Sequence, residues 1–350
     1  MASNNQPNAN SALTYPSQQP GNNMQPLSEQ PRQPRNLQGL LRFAMEATKA
    51  EDAPGNSNYG PMDEERRQFL ADALASMTVD LGELLRSSIE VLTNTERMRG
   101  IQLGQPIPTD VQKAFTVLLD IVDDMDMAKD FAKCGGFAIF PICYGSENEE
   151  VRMYASSILA ELCQNNPFCQ AKAQECGFIT VLLTLAQAER GDALAKCLYA
   201  LSCCSREFEP ACRTLLSSGG CEVLALMLKA PESTARTKSA FLIRYLCTHY
   251  SEAKDQFVKY NIVATIADQI KSTHDQTTEH LLSVLVALME GQDPTILRQF
   301  RDPNINLKKI LENHLKHPDL IDDTYLEEKD YCKELLSTVF QESADIVADR

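Results

Sequence analysis

Few residues in this sequence have types and spacings suited to bond chemistry. His314 and His317 stand three apart, the nearest approach to a metal-ligand pair, but no third ligand stands near them. They are expected on a solvated helix surface. Asp123, Asp124 and Asp126 begin like a calcium loop, yet the glycine and closing glutamate of such a loop are missing. A polar helix end is the expected reading. The twelve cysteines include no C-x-x-C pair, and Cys163, Cys169 and Cys176 are spaced wrongly for zinc. A P-loop, a G-x-G-x-x-G fingerprint, a G-x-S-x-G elbow and an H-E-x-x-H pair are all missing. Neither an enzyme nor a bound cofactor is expected, and the search turns from reacting groups to a binding surface.

Charge narrows the partners. A formal net charge of −15 over 350 residues argues against nucleic acid, whose phosphates require a basic footprint, and against an anionic membrane surface. No apolar run approaches the ~18 residues that span a bilayer, and the N-terminus has no apolar signal segment. A cytosolic monomer with reduced thiols is expected. Cys197, Cys204 and Cys247 fall at positions where free cysteine acts as a small buried hydrophobe.

The elements that must carry such a surface are read most clearly between Arg236 and Lys271. Arg236–His249 is apolar nearly all round, the pattern of a buried helix. Ser251 is placed to cap a short second helix. Asn261 breaks the chain, and Ile262, Val263, Ile266, Ala267 and Ile270 follow at helical spacing. The unit recurs. Gly136, Gly177, Gly219 and Asn261, residues that tolerate left-handed backbone, stand 41, 42 and 42 apart. On that period Ala155, Ile158, Leu159 and Leu162 align with Cys197, Ala200, Leu201 and Cys204. Ser239, Leu242, Ile243 and Leu246 follow, then Leu281, Val284, Leu285 and Leu288. A three-helix unit of about 40–47 residues is the armadillo/HEAT signature, and each copy needs its neighbours to bury its faces. The fold class is all-α: a right-handed armadillo-like superhelical solenoid of about four to five three-helix repeats with helical caps, behind a disordered N-terminal segment.

In chain order, residues 1–34 are rich in Asn, Gln, Pro and Ser and too poor in large apolar residues to fold. Residues 35–50 carry a leucine cluster, with Leu37, Leu40, Leu41, Ala44 and Met45 on one stripe, Asn36 as a cap, Gly39 as a weak point, and Arg35 and Arg42 as flanking charges. This segment is either a helix docked on the core or a tethered linear motif. A flexible linker, 51–61, separates it from an N-terminal helical cap, 62–108, in which Asp63 caps the first helix and Arg97 to Pro108 is a loop. Armadillo repeats fill 109–290. The first runs Thr109–Asn148, the second Glu149–Arg190 with an internal start at Asn166–Pro167, the third Gly191–Pro231 and the fourth Glu232–Thr273. The fifth begins at His274 and fades after Gly291. Residues 291–350 form a C-terminal helical cap and acidic tail.

The long helix of each repeat lines the concave face of an armadillo stack, and three rows of outward residues recur on it. They are Tyr154, Lys196, Lys238 and His280; Ser157, Tyr199, Phe241 and Ser283; and Glu161, Cys203, Tyr245 and Ala287. Aromatic and lysine side chains grouped there suit a protein partner. The alternative is that Phe241 and Tyr245 pack between repeats.

Pro34–Ala44 (PRNLQGLLRFA), Met62–Leu74 (MDEERRQFLADAL), Lys238–Leu246 (KSAFLIRYL) and Glu279–Leu288 (EHLLSVLVAL), in that order around the repeats, closely resemble the heat shock protein 70-binding protein 1 family, the Fes-type nucleotide exchange factors. The resemblance covers roughly residues 34–340. It implies a cytosolic co-chaperone that grips the ATPase domain of heat shock protein 70 with its concave face and accelerates ADP release. On this sequence Lys196, Tyr199, Lys238, Phe241 and Tyr245 are the candidates for that grip, with Arg152, Glu161 and Arg236 behind them. It also implies that Arg35, Asn36, Leu37, Gly39, Leu40, Leu41 and Arg42 form a release motif that occupies the chaperone's peptide-binding cleft. The flexible linker would let it reach that second site. An armadillo adaptor without exchange activity is the alternative, although a nuclear-import ladder would need tryptophans and this chain has none. An inhibitor of a chaperone-associated ubiquitin ligase is compatible with the same fold.

Overall fold

The computed structural model describes residues 80–340 together with Glu64, Arg67 and Gln68. The chain divides into two units at Val79/Asp80. Arg67 pairs with Glu64 one helical turn away in the first. The predicted Asn36 and Asp63 caps and the leucine cluster of residues 35–50 lie outside the described residues.

Every regular element among the described residues is helical, and none is long and apolar enough to cross a membrane. Two helices open the second unit, α1 (Leu81–Thr93) and α2 (Thr95–Arg99). The first repeat is α3 (Thr109–Ile121), α4 (Met125–Lys133), a 3-10 turn (Gly136–Ala138) and α5 (Ile139–Tyr144). The second is α6 (Glu149–Cys163), α7 (Pro167–Glu175) and α8 (Phe178–Ala188). The third is α9 (Gly191–Ser205), α10 (Glu209–Ser217) and α11 (Gly220–Met227). The fourth is α12 (Ser233–His249), α13 (Ser251–Lys259) and α14 (Ile262–Ser272). The fifth is α15 (Thr278–Met289), α16 (Pro294–Phe300) and α17 (Leu307–His314), and α18 (Leu326–Phe340) closes the unit.

Helix starts follow the chemistry of the orphan N–H groups. Asn148 caps α6 by accepting from the N–H groups of Glu150 and Val151, and Asn166 caps α7 ahead of Pro167. Asp124, the middle of the calcium-like run, caps α4 by accepting from Asp126 N–H and Met127 N–H, at 2.9 and 3.1 Å. Two expectations need correction. Ser251 is the first residue of α13, and Tyr250 precedes it without a side-chain cap. Residues 97–99, expected at the start of a loop, belong to α2, where Asn94 accepts from Arg97 N–H at 3.0 Å.

The long helices α3, α6, α9, α12 and α15 pack side by side as a ladder, and α18 packs on α15 as its next rung. Every position aligned by the repeat is buried, none more than 2 % exposed. Cys197, Cys204 and Cys247 sit in this core as free thiols. Burial pushes the pKa of Cys197 and Cys247 upward and keeps both protonated and inert.

The junction residues also need correction in the first repeat. Gly135, not Gly136, holds the left-handed backbone at φ 76°, matching Gly177 (73°), Gly219 (81°) and Asn261 (54°). The Gly135–Gly136 and Gly219–Gly220 doublets split two duties. The first glycine takes the positive φ. The second makes room, since a Cβ on Gly136 would lie 2.5 Å from the Phe131 ring, and one on Gly220 would lie 2.5 Å from Leu215. The fifth repeat does not fade at Gly291. Asn306 supplies another left-handed junction at φ 54°, ahead of α17.

Polar ties run from repeat to repeat at the starts of the long helices. Arg152 of α6 pairs with Glu189, whose Oε2 it reaches at 3.0 Å, and its NH1 donates to Ser146 O at 2.7 Å. Glu232 accepts from Gly191 N–H at 3.0 Å. Arg236 of α12 pairs with Asp275 and donates to Ala230 O and Pro231 O at 2.9 and 2.8 Å. Glu189, Glu232 and Asp275 stand 43 residues apart, so the tie recurs with the repeat.

At the other end of the sequence expectation, His314 is not a solvated surface residue. It is 6 % exposed and meets Glu328 of α18.

Candidate partner-binding face

The ladder helices α6, α9, α12 and α15 present one continuous flank, because their packing sides are consumed by the repeat core. On that flank the structure brings Tyr199, Lys238 and Phe241 together around a groove of about 410 Å³. Gln164, Arg206, Glu207 and His280 are among the residues that line it.

The groups are ordered by contacts across repeats. Tyr199 OH donates to Gln164 Oε1 at 2.9 Å. Lys238 Nζ lies 4.7 Å from the centre of the Tyr199 ring. Arg206, in the turn after α9, sets its guanidinium carbon 4.6 Å from the Phe241 ring centre and 5.5 Å from that of Tyr245. Tyr245 OH accepts from Glu207 N–H at 2.7 Å, and its ring stacks on His249 at 4.3 Å. Three aromatic rings and two cations therefore form one ordered patch. Phe241 remains 41 % exposed, a large apolar surface held open beside charge, the composition of an interface hot spot.

Burial raises the pKa of the Tyr199 and Tyr245 phenols, which stay neutral hydrogen-bonding groups. His280 is pushed below its ordinary value of 6.5 by burial first, and then by the positive charges of Arg244 and Lys238. Lys196 and Arg244 are exposed on the same helices, so the patch sets aromatic rings among cations, with Glu207 on the groove wall beside them. The arrangement holds groups for binding. It offers apolar surface and cations to a partner presenting apolar and acidic groups.

The remaining expected residues fall elsewhere. Lys196 is exposed and Glu161 half-buried on the same helices, outside the groove wall. Arg152 and Arg236 turn their guanidinium groups into the ties between repeats, with side chains 18 % and 10 % exposed. Tyr154 stacks on Phe115 of α3, centroids 5.0 Å apart. Ser157, Ser283 and Ala287, placed on the outward rows by period, are buried, and both serines bond to carbonyls of their own helices. The close approach of neighbouring long helices covers these small side chains. Arg206 and Gln164 escaped the sequence reading because they stand at helix ends, off the aligned rows. Asn165 and Glu207, both at positive φ and 42 residues apart, show that these turns recur with the repeat, which a glutamate gives no sign of in the sequence.

The pattern of the SIL1/FES1/HPBP1 C-terminal domain matches residues 127–263, which contain the patch. Hsp70-binding protein 1 of Mus musculus is 29 % identical over 332 residues, covering 92 % of this chain and 91 % of that protein. The Homo sapiens protein of the same name is 29 % identical over 333 residues, covering 91 % and 89 %. Among solved structures, an engineered structural-genomics protein superposes with a TM-score of 0.60 at 17 % identity, over 75 % of this chain and 97 % of that one. A designed armadillo repeat protein superposes at 0.56 with 12 % identity, over 71 % and 99 %. These structures share the fold alone. The chain is thus an armadillo-like solenoid that is similar along most of its length to Hsp70-binding protein 1 and carries the SIL1/FES1/HPBP1 C-terminal domain pattern over residues 127–263.

Proposed function

We propose that this protein is a co-chaperone that binds the ATPase domain of a cytosolic heat shock protein 70 and accelerates ADP release. The observation that carries the reading is the Tyr199–Lys238–Phe241–Arg206 patch, which lies inside the matched domain. Similarity along most of the chain to proteins named for Hsp70 binding supports the choice of partner.

The mechanism is differential binding. A partner can open a nucleotide cleft only by holding the open ATPase domain more tightly than the closed one. An array of packed repeats suits that role, because its ordered aromatic and cationic groups lose little freedom on docking. No proton or covalent step is required of the protein. Arg206 and Lys238 meet acidic groups of the partner, and Phe241 and Tyr199 fill apolar hollows. The tethered segment Arg35, Asn36, Leu37, Gly39, Leu40, Leu41 and Arg42 would occupy the peptide-binding cleft meanwhile and prevent recapture of substrate.

Reciprocity supplies the test. If this protein lowers the chaperone's affinity for ADP by some factor, ADP must lower the chaperone's affinity for this protein by the same factor. Titration calorimetry of the full chain against the ATPase domain, nucleotide-free and ADP-saturated, should show tighter binding to the nucleotide-free form. Equal affinities would leave an adaptor without exchange activity, and no binding would remove the chaperone altogether.

A further inference from the structure

Three of the chain's five histidines gather where the fifth repeat meets α18. His274 comes from the segment between α14 and α15, His314 from the last turn of α17, and Glu328 from the first turn of α18. Glu328 is 3 % exposed and turns Oε2 toward both rings, 3.2 Å from His274 Nε2 and 2.9 Å from His314 Nε2. All three ligand atoms lie within 4.8 Å of one another. On the opposite edge of His274, Nδ1 is 3.1 Å from Asp319 Oδ2. His317 packs beside that ring at 4.6 Å and accepts Asp319 N–H at Nδ1.

His274 therefore faces a carboxylate oxygen with each of its nitrogens. A neutral imidazole carries one N–H and can satisfy only one of them. Either the ring holds a second proton, or a cation sits between Nε2 and Glu328 while Nδ1–H donates to Asp319. Four features favour the cation. Two imidazole nitrogens and a carboxylate oxygen are a three-ligand zinc set that leaves a fourth position open. With metal–ligand bonds of about 2.0–2.2 Å, a tetrahedral site has edges of about 3.3–3.6 Å, so the two spacings to Glu328 need open by only a few tenths of an ångström. Asp319 stands where a metal-bound histidine ordinarily finds the carboxylate that fixes its ring. Finally, His274, His314 and His317 line a groove of about 650 Å³, which provides an entry path.

We propose that His274, His314 and Glu328 bind one divalent ion of the zinc class, with Asp319 as the positioning residue for His274 and water in the fourth position. Three segments 40 and 14 residues apart then share one ion. It fastens α18, the last rung of the ladder, to the fifth repeat. The site is independent of the chaperone reading.

The test uses the full chain stripped with a chelator and then given zinc or cobalt(II). The wild-type protein should take up one zinc per chain, and its melting temperature should rise with free zinc. Cobalt should give the visible bands of a four-coordinate nitrogen–oxygen site without a thiolate charge-transfer band. Glu328→Gln and His314→Gln should lose uptake, spectrum and melting shift together, while His249→Gln keeps all three. Asp319 is more than half exposed and its loss spares the core. Asp319→Asn should stay folded by circular dichroism and bind zinc about 10–100-fold more weakly. Uptake by the wild type no greater than that of Glu328→Gln would overturn the proposal, as would a thiolate band that persists in His314→Gln. A folded Asp319→Asn variant with unchanged zinc affinity would remove Asp319 from its role. A melting temperature that responds to pH but not to zinc would assign the cluster to a second proton on His274 instead.

Discussion

Lys238 of α12 holds its ammonium 4.7 Å from the centre of the Tyr199 ring of α9, so two adjacent repeats build one cation–π unit on the flank of the ladder. Neither repeat carries the unit alone. The patch is thus a property of the stack, and its geometry depends on the register between repeats three and four. Separate substitutions Tyr199→Leu and Lys238→Met, and the two combined, should reveal a coupling of about 0.5–1 kcal/mol in folding stability, the range for an exposed pair. Chemical denaturation of the four proteins measures it, and strictly additive losses would mean that the two side chains do not interact.

The tie between repeats four and five makes a larger prediction. Removing Arg236 leaves the Ala230 and Pro231 carbonyls without their donor, and leaves Asp275 with Thr277 but without its cation. Asp275 keeps about a third of its surface in water, which tempers the loss. Arg236→Ala should cost about 2–3 kcal/mol. Burial alone would raise the Asp275 pKa, but the Thr277 N–H, the Thr277 hydroxyl and Arg236 together hold it below 3.8. Its contribution is therefore present above about 3.8 and lost as pH falls through the lower folded value. Asp275→Asn should flatten the acid limb of the stability profile. An unchanged limb in a denaturant series from neutral pH to pH 2 would contradict this assignment.

The glycine doublets separate two kinds of cost. Gly220→Ala forces a Cβ to within 2.6 Å of Leu215 O, a backbone atom that cannot swing away. A loss of about 1–3 kcal/mol is expected. At Gly219 a Cβ meets nothing within 4 Å, and only the positive φ opposes it. Gly219→Asn should therefore cost less than Gly220→Ala, as Asn261 and Asn306 occupy the same backbone state. Thermal melts that reverse this order would refute the division of labour.

How much of this was legible in the sequence depends on distance along the chain. The helices and their period were, because apolar spacing and left-handed junctions are local. The doublet at Gly135–Gly136 misled by one residue, since both glycines are needed and only backbone geometry says which takes the positive φ. The fifth repeat was read only as far as Gly291, because Asn306 follows Asn261 by 45 residues rather than 42. Tyr199, Lys238 and Phe241 were legible from their rows, while Arg206 reaches them from a turn on the neighbouring repeat. The His274, His314 and Glu328 cluster spans separate segments, and no local spacing marks it.

The tethered segment should be separable from the groove. Leu40→Asp with Leu41→Asp should leave ADP release intact and slow the release of a bound peptide substrate. Fluorescent nucleotide and fluorescent peptide followed in parallel would measure both. Equal loss of the two would contradict a motif acting on its own tether.

The central claim is that the Tyr199–Lys238–Phe241 patch drives nucleotide exchange. Stopped-flow release of a fluorescent ADP analogue from a cytosolic heat shock protein 70 tests it most directly, with the wild-type protein beside a Lys238→Glu/Phe241→Ala variant shown to be folded by circular dichroism. The wild type should accelerate release, and the variant should lose about tenfold or more of that effect at subsaturating concentration. Equal acceleration by both proteins would place the site elsewhere on the solenoid, and no acceleration by the wild type would contradict the exchange function itself.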